Sequence, residues 1–226
     1  MKFDGKAHNY DIGRPDYPIE AVLYVLRNSN ENTIVADIGA GTGKLTKILA
    51  ETGISVIAVE PSVDMYDVLV ENLAGFSNVK TICSSAEMTF IEDNSVDKLM
   101  IAQALHWFDL EKFKVECRRI LKPGGEVFVL YNNAVDGQKE ILDKANHRMK
   151  AVYEFFTNPT HQDFAHEIVY DRNRWLSFML SHSYSPLKKD ENYQQFTDEM
   201  NDIFDNESVD GVLTRNLLTT VWTGEF

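Results

Sequence analysis

The chain has 226 residues, of which 44% are hydrophobic and 25% charged, which is room for one domain with an ordinary globular core. Asp and Glu outnumber Lys and Arg 35 to 22, a formal charge of −13, and that balance disfavours a nucleic-acid substrate, whose phosphates need basic contacts. No apolar run approaches the roughly 20 residues that span a bilayer, and "MKFDGKAHNYDIGRPDYP" holds no apolar signal core.

Cys83 and Cys117 lie far apart without metal-type spacing, which fits a reducing cytoplasm. From Asp190 to Asp210 there are acids and no Lys or Arg, read as a solvated helix face.

In chain order, "YPIEAVLYVLRNS" places Ile19, Val22, Leu23 and Leu26 at helical spacing, with Pro18 suited to a first turn. "NTIVADIG" reads as a buried strand ending at Gly39, and "KLTKILAETG" as a helix stopped by Gly53. "ISVIAVEPS" is a second strand. Ser62 is placed to cap the next helix, which turns Met65, Leu69 and Leu73 inward. "NVKTICSS" and "SVDKLMIAQAL" are the third and fourth strands. "DLEKFKVECRRILKPGG" is a helix with Asp109 as candidate cap, ended by "KPGG", and "EVFVLYNN" is the fifth strand.

Strands and helices alternate, and the strands are apolar on successive residues. Both features predict a parallel sheet covered on both faces and wound in both directions. Beyond Asn133 the pattern changes. "QKEILDKANHRMKAVYEFF" predicts an amphipathic helix carrying Ile141, Leu142, Ala145, Met149, Val152 and Phe156. A short strand near "HEIVY", helices around "RNRWLSFML" and "NYQQFTDEMNDIF", and a last strand at "LLTTVWTGEF" follow. With no repeat and no linker, residues 1–226 read as one domain, with helical additions within about 133–206.

The stretch "VADIGAGTGKL" carries the chemistry. Ligands of open parallel sheets bind beyond the strands' carboxyl ends, where glycine lets them touch backbone. Gly39, Gly41 and Gly43 are followed by Lys44 where a dinucleotide fingerprint needs its third glycine, and no Ser or Thr follows as in a P-loop. Asp37 would repel a pyrophosphate and attract an ammonium group. Glu60, at the end of the second strand, can accept both hydroxyls of a ribose. The required ligand is a nucleoside with a cationic amino-acid end, and S-adenosylmethionine has those parts.

With these motifs in order, the chain resembles the class I S-adenosylmethionine-dependent methyltransferases. "ADIGAGTGKLT" is similar to their glycine motif, "VIAVEPSVDM" to their acidic strand end, and "ECRRILKPGGEVFVL" to their helix, turn and fifth strand. "SSAEMTFIEDNSVDKLMIAQALHWFD" looks like the run through their third and fourth strands, and the likeness covers about Tyr10 to Asn132. "YDIGRPDYP" and "LLTTVWTG" look like the small-molecule branch with the trans-aconitate methyltransferase-like proteins.

The resemblance implies a mostly parallel seven-stranded, Rossmann-like methyltransferase fold. It implies S-adenosylmethionine as donor, S-adenosylhomocysteine as product, no metal, and a small-molecule acceptor. By the same likeness Asp37 and the Gly39, Ala40, Gly41, Gly43 loop hold the methionine end, and Glu60 the ribose. Pro61, Ser62, Ser85, Ala86 and Glu87 border the adenine, whose amino contact uses Ser85 or Glu87. Gln103 lies beside the methionine portion. The opening segment closes over the donor with Tyr10 and Arg14, and Tyr10 is also a candidate at the reacting methyl.

His106 in "LHWF" is the candidate base, or else it shapes the pocket. Trp107 is a candidate aromatic wall, Tyr153, Phe156, Trp175 and Phe178 are candidate pocket residues, and Arg172 and Arg174 are candidates for an acidic acceptor. A donor-binding protein without catalysis, or a nicotinamide-dependent oxidoreductase, are the competing classes.

Overall fold

The computed structural model describes residues 5–135 and 139–226, and for 139–146 the backbone alone. Seven strands form one sheet in the order β3-β2-β1-β4-β5-β7-β6. These are β1 (Ile34–Ile38), β2 (Ser55–Val59), β3 (Val79–Ile82), β4 (Val96–Ala102), β5 (Leu121–Ala134), β6 (Thr157–Tyr170) and β7 (Leu213–Glu225). The first five pair in parallel; β7 runs antiparallel to both β5 and β6. The expected doubly wound, mostly parallel sheet is therefore present.

Each central strand is apolar on both sides because each side is covered. Ala36 and Ile38 of β1 join Leu99 and Ile101 of β4 in one cluster, under Phe113, Cys117 and Ile120 of α5 (Leu110–Ile120) and Val152 and Phe155 of α6 (Lys139–Phe155). Val35 and Met100 face the other way, onto Ala21, Val22 and Val25 of α2 (Ile19–Val25) and Leu45 and Leu49 of α3 (Lys44–Glu51). As expected, α4 (Val63–Leu73) buries Met65, Leu69 and Leu73. Of the residues expected on α6, Met149 and Val152 meet the core, while the side chains of Ile141, Leu142 and Ala145 lie outside the described residues.

Three local expectations need correction. The "KPGG" turn does not separate α5 from the fifth strand. The strand begins at Leu121, and Lys122–Gly125 are absorbed as a register shift against β4 between Val96 and Lys98. Ser62 holds the cap position of α4 without a side-chain capping bond, and its backbone N–H donates to Glu60. The strand near "HEIVY" is not short: it is 14 residues long and paired with β7 across most of its length. The helices beyond β5 are α6, α7 (Arg172–Leu180) and α8 (Tyr193–Glu207), and a short α1 (Ala7–Gly13) precedes α2. Among the described residues no helix is long and apolar enough to cross a membrane.

The strand order reverses between β1 and β4, so the chain leaves these neighbours in opposite directions and opens a crevice at their carboxyl ends. Gly39 follows β1 there and Gln103 follows β4.

Candidate active site

A cavity of about 770 Å³ opens at that crevice. Its near wall is Asp37, Gly39, Ala40, Lys44 and Gln103; Tyr10, Arg14 and Tyr17 cover it, and Tyr170, Trp175 and Phe178 form its far wall. The structure thus brings Tyr10, Arg14, Asp37, Gly39, Ala40 and Gln103 together from three separate stretches of sequence.

Asp37 is 0% exposed. Thr46, in the first turn of α3, donates its hydroxyl to Asp37 Oδ2 at 2.6 Å. The other oxygen, Oδ1, has no hydrogen-bond partner among the described residues. Burial lifts the Asp37 pKa to about 7, against the Thr46 hydrogen bond that lowers it. Across the crevice, Gln103 sits at φ +58°, a left-handed conformation uncommon outside glycine. Its N–H is held by the Leu130 carbonyl at 2.9 Å and its amide nitrogen reaches the Asn132 carbonyl at 3.3 Å. Gln103 Oε1 is buried without a donor. Two buried acceptors, one ionisable, therefore stand unsatisfied among the described residues, on two residues that line the same cavity, which suits a cationic N–H donor.

The glycine loop has the conformations that its composition suggested. Gly39, Gly41 and Gly43 lie at φ +74°, +60° and +89°. A Cβ on Gly39 would come within 2.7 Å of the Ala104 side chain, and on Gly43 within 2.7 Å of Leu69. Gly41 faces Tyr10 instead, at 3.5 Å from where its Cβ would stand. So two of the glycines serve packing and turn geometry, and the middle one faces the covering segment.

Glu60 is 7% exposed and accepts from Gly41 N at 2.8 Å and Ser62 N at 2.9 Å. Burial raises its pKa, and these two bonds pull it back. It ties the glycine loop to the end of β2, and each oxygen keeps a second lone pair. Pro61, Ser62, Ser85, Ala86 and Glu87 follow β2 and β3 and do not line the cavity. Ser62 Oγ is buried without a partner. Glu87 accepts from the N–H of Asp109 at 2.9 Å, and Asp109 caps α5 as expected by accepting from Lys112 N.

His106 is not among the residues that line the cavity. Its Nδ1 lies 3.2 Å from the Tyr131 hydroxyl, and its ring packs 4.6 Å from Trp107 and 5.8 Å from His147. Trp107 is 43% exposed. Arg172 pairs with Asp205, and Arg174 reaches the Val169 carbonyl and Asp16, so neither lines the cavity. Tyr153 is exposed and Phe156 is in the core, whereas Trp175 and Phe178 do line it.

The cavity's other arginines, Arg148 on α6 and Arg215 on β7, are not marked by any motif. Arg148 was visible in principle: it is four and seven residues before the buried Val152 and Phe155, a cation on the apolar stripe of a helix. Among the described residues no group of three or more His, Cys, Asp or Glu is placed to share a metal ion.

Residues 36–129 match the family model described as a methyltransferase domain. An uncharacterized methyltransferase of Mycobacterium tuberculosis is 39% identical over 132 residues, covering 58% of this chain and 52% of that protein. The chain spans about half the length of the curated relatives it matches. Among solved structures, a putative type II methyltransferase from Anaeromyxobacter dehalogenans superposes with a TM-score of 0.65 at 18% identity, covering 94% of this chain and 97% of that one. Phosphoethanolamine N-methyltransferase 2 of Haemonchus contortus, in complex with phosphomonomethylethanolamine and S-adenosylhomocysteine, superposes at 0.57 and 16% identity, covering 97% and 56%. Residues 36–129 are thus similar to a methyltransferase domain, and the seven-stranded sheet shares the fold of the solved methyltransferases it superposes on.

Proposed function

We propose that the protein transfers a methyl group from S-adenosylmethionine to a small-molecule acceptor. The observation that carries this reading is the pair of unsatisfied buried acceptors, Asp37 Oδ1 and Gln103 Oε1, at the β1–β4 crevice beside a glycine loop. An amino-acid ammonium satisfies both. Arg14, whose Nε is also buried without an acceptor, offers a partner for the carboxylate of the same group. Glu60 retains lone pairs for ribose hydroxyls at the end of β2.

When bound, the sulfonium supplies an activated methyl group and its own leaving group. The chain's part is alignment and exclusion of water, and alignment alone is worth several kcal/mol, on the order of 7–11 in the best cases. Asp37, Gln103 and Arg14 hold the amino-acid end. Tyr10 and Tyr17 cover it, their phenols pushed up by burial and so kept neutral. Tyr10 lines the cavity and His106 does not, so of the two candidates only Tyr10 can touch the bound groups, as a neutral hydrogen-bonding phenol rather than as a base.

The cavity continues past the donor-facing wall to Tyr170, Trp175 and Phe178, which leaves room for an acceptor and favours an enzyme over a donor-binding protein without catalysis. The phosphoethanolamine enzyme on the same fold supports a small acceptor by analogy alone.

Calorimetric titration with S-adenosylmethionine, S-adenosylhomocysteine and NAD tests the donor. Micromolar-range binding of the first two and none of NAD is expected; NAD binding alone would overturn the reading. Release of S-adenosylhomocysteine across a panel of small acceptors tests catalysis. A broad panel without turnover favours the non-catalytic alternative.

A further inference from the structure

Four long cationic side chains line the cavity: Arg14, Lys44, Arg148 and Arg215. Two are neutralised in place. Lys44 pairs with Asp16 at 3.1 Å, and Arg215 pairs with Glu207. Arg14 and Arg148 have no carboxylate partner among the described residues. Among the described residues Arg14 reaches the Ser181 carbonyl, at 3.4 Å, and its guanidinium lies over the Tyr10 and Phe178 rings. Among the described residues Arg148 reaches the Asn132 carbonyl, also at 3.4 Å, and lies over the Tyr131 ring. Burial pushes the Arg148 pKa down, and the positive charge of Arg14 pushes it further. Two poorly satisfied guanidinium groups thus share one cavity in a protein of net charge −13.

The donor proposed above brings one carboxylate, one ammonium and one sulfonium. Asp37 and Gln103 answer the ammonium, and one arginine answers the carboxylate. The second arginine and the sulfonium then remain as uncompensated positive charge in a site shielded from water, which is costly unless an anion enters. Arg14 belongs to the covering segment beside the glycine loop, so it is the arginine for the donor. Arg148 comes from α6, on the side of Asn132.

We propose that Arg148 is the anchor of an acceptor subsite for an organic anion, a carboxylate or a phosphate monoester, whose apolar body lies against Tyr170, Trp175 and Phe178. This rests on the methyltransferase reading for giving Arg14 to the donor and Arg148 to the acceptor; the two guanidinium groups without a carboxylate partner among the described residues are a property of the cavity itself. It replaces Arg172 and Arg174, which are paired elsewhere.

The test uses the full chain and three matched probes: phenylacetate, phenyl phosphate and the neutral phenylacetamide. Each is titrated calorimetrically with S-adenosylhomocysteine absent and saturating. At least one acid is expected to bind about tenfold or more tighter than the amide, since charge-assisted bonds are lost with the charge. The tighter of the two acids assigns the anion. Arg148→Gln is expected to erase that preference while leaving S-adenosylhomocysteine affinity unchanged, and Arg148→Lys to keep part of it.

Equal binding of acid and amide, or no probe binding at all, overturns the subsite. So does a preference that survives Arg148→Gln, or a loss of S-adenosylhomocysteine affinity of similar size in that variant, which would give Arg148 to the donor. If the Gln variant fails to fold, the wild-type acid-to-amide contrast and Arg148→Lys still decide. If the wild type prefers acids but does not bind S-adenosylhomocysteine, the methyltransferase reading falls and the anion subsite stands.

Discussion

Gly13 and Phe178 meet backbone to backbone: a Cβ on Gly13 would stand 2.1 Å from the Phe178 amide nitrogen. The contact joins the last residue of α1 to α7. Lys6, at the other end of α1, is buried with its ammonium on the carbonyls of His182 and Ser185 and on the Ser185 hydroxyl. The covering segment is also tied to α4, through Gly5 N on Asp64 and the Asn72 amide on Asp11. The segment that covers the glycine loop is therefore seated on the helix that forms the cavity's far wall.

That seating makes Gly13→Ala a test of coupling. The methyl group meets backbone, which cannot rotate aside, so α1 must shift, at a cost of about 1–3 kcal/mol. The shift carries Tyr10 and Arg14 with it. Lower thermal stability together with weaker S-adenosylhomocysteine binding is expected. Gly75→Ala, where nothing lies within 4 Å, is the control and should change neither. Full affinity in a destabilised Gly13→Ala would show that the cover and α7 act separately.

Asp37 gives the site a pH dependence with a definite sign. Its ordinary pKa of 3.8 rises to about 7 in the folded chain. Between those values the folded state holds a proton that the unfolded state has lost. This group's contribution to stability therefore falls as pH rises through that window and is level outside it. Asp37→Asn removes the fall, which denaturant unfolding at about pH 5 and about pH 8 reads directly. Ligand binding runs the opposite way. The ionised carboxylate attracts the ammonium, so wild-type affinity for S-adenosylhomocysteine should rise from about pH 6 to about pH 8 and stay flat in the Asn variant. A flat wild-type profile would separate Asp37 from the ligand.

Gly41→Ala separates backbone strain from ligand approach. At φ +60° any L side chain is strained, by roughly 1–2 kcal/mol, though the new methyl would make only ordinary contact with Tyr10 at 3.5 Å. Gly124 has a similar φ of +81°, with nothing within 4 Å of its Cβ position and no part in the cavity. Gly41→Ala and Gly124→Ala should thus lose comparable stability, while only the first loses affinity for S-adenosylhomocysteine. Equal affinity in both variants would remove the loop from the binding surface.

The parts of the fold that sequence made legible are those where burial dictates composition. β1, β2 and β4 are covered on both faces, so "TIVADI", "SVIAV" and "KLMIA" are apolar on successive residues. β6 hid because it is an edge strand. Its pairing with β7 is a backbone matter, and only Ile168 and Tyr170 at its end are buried. The site divides the same way. Asp37, the glycines and Gln103 sit at ends of legible strands. Arg148 and Arg215 reach the cavity from elements far away in sequence, and a local motif does not encode that convergence. Arg172 and Arg174 attracted notice as neighbours in sequence, yet the chain pairs each of them with a surface acid.

Glu116 tests how the third strand's trailing loop is held. It is buried on α5, and its Oε1 accepts from Thr89 N at 2.7 Å and Thr89 Oγ1 at 2.6 Å, while Arg119 donates to both carboxylate oxygens. Arg119 also holds the Ile91 carbonyl and Asp93, so one helix turn pins residues 89–93, just beyond Ser85, Ala86 and Glu87. Burial alone would raise the Glu116 pKa, but the Arg119 and Thr89 hydrogen bonds outweigh it and hold it below the ordinary 4.5. Its contribution to stability is thus complete above that value and lost as pH falls through the lowered one. Glu116→Ala leaves the Thr89 N–H buried without an acceptor and Arg119 without its main partner. The expected cost is about 3–5 kcal/mol near neutral pH, shrinking in acid. Glu116→Gln should cost less, because one carbonyl oxygen can still accept from Thr89. Urea unfolding of the two variants near neutral pH and near pH 4 checks both statements; a pH-independent difference from wild type would mean that Glu116 acts by packing rather than by charge.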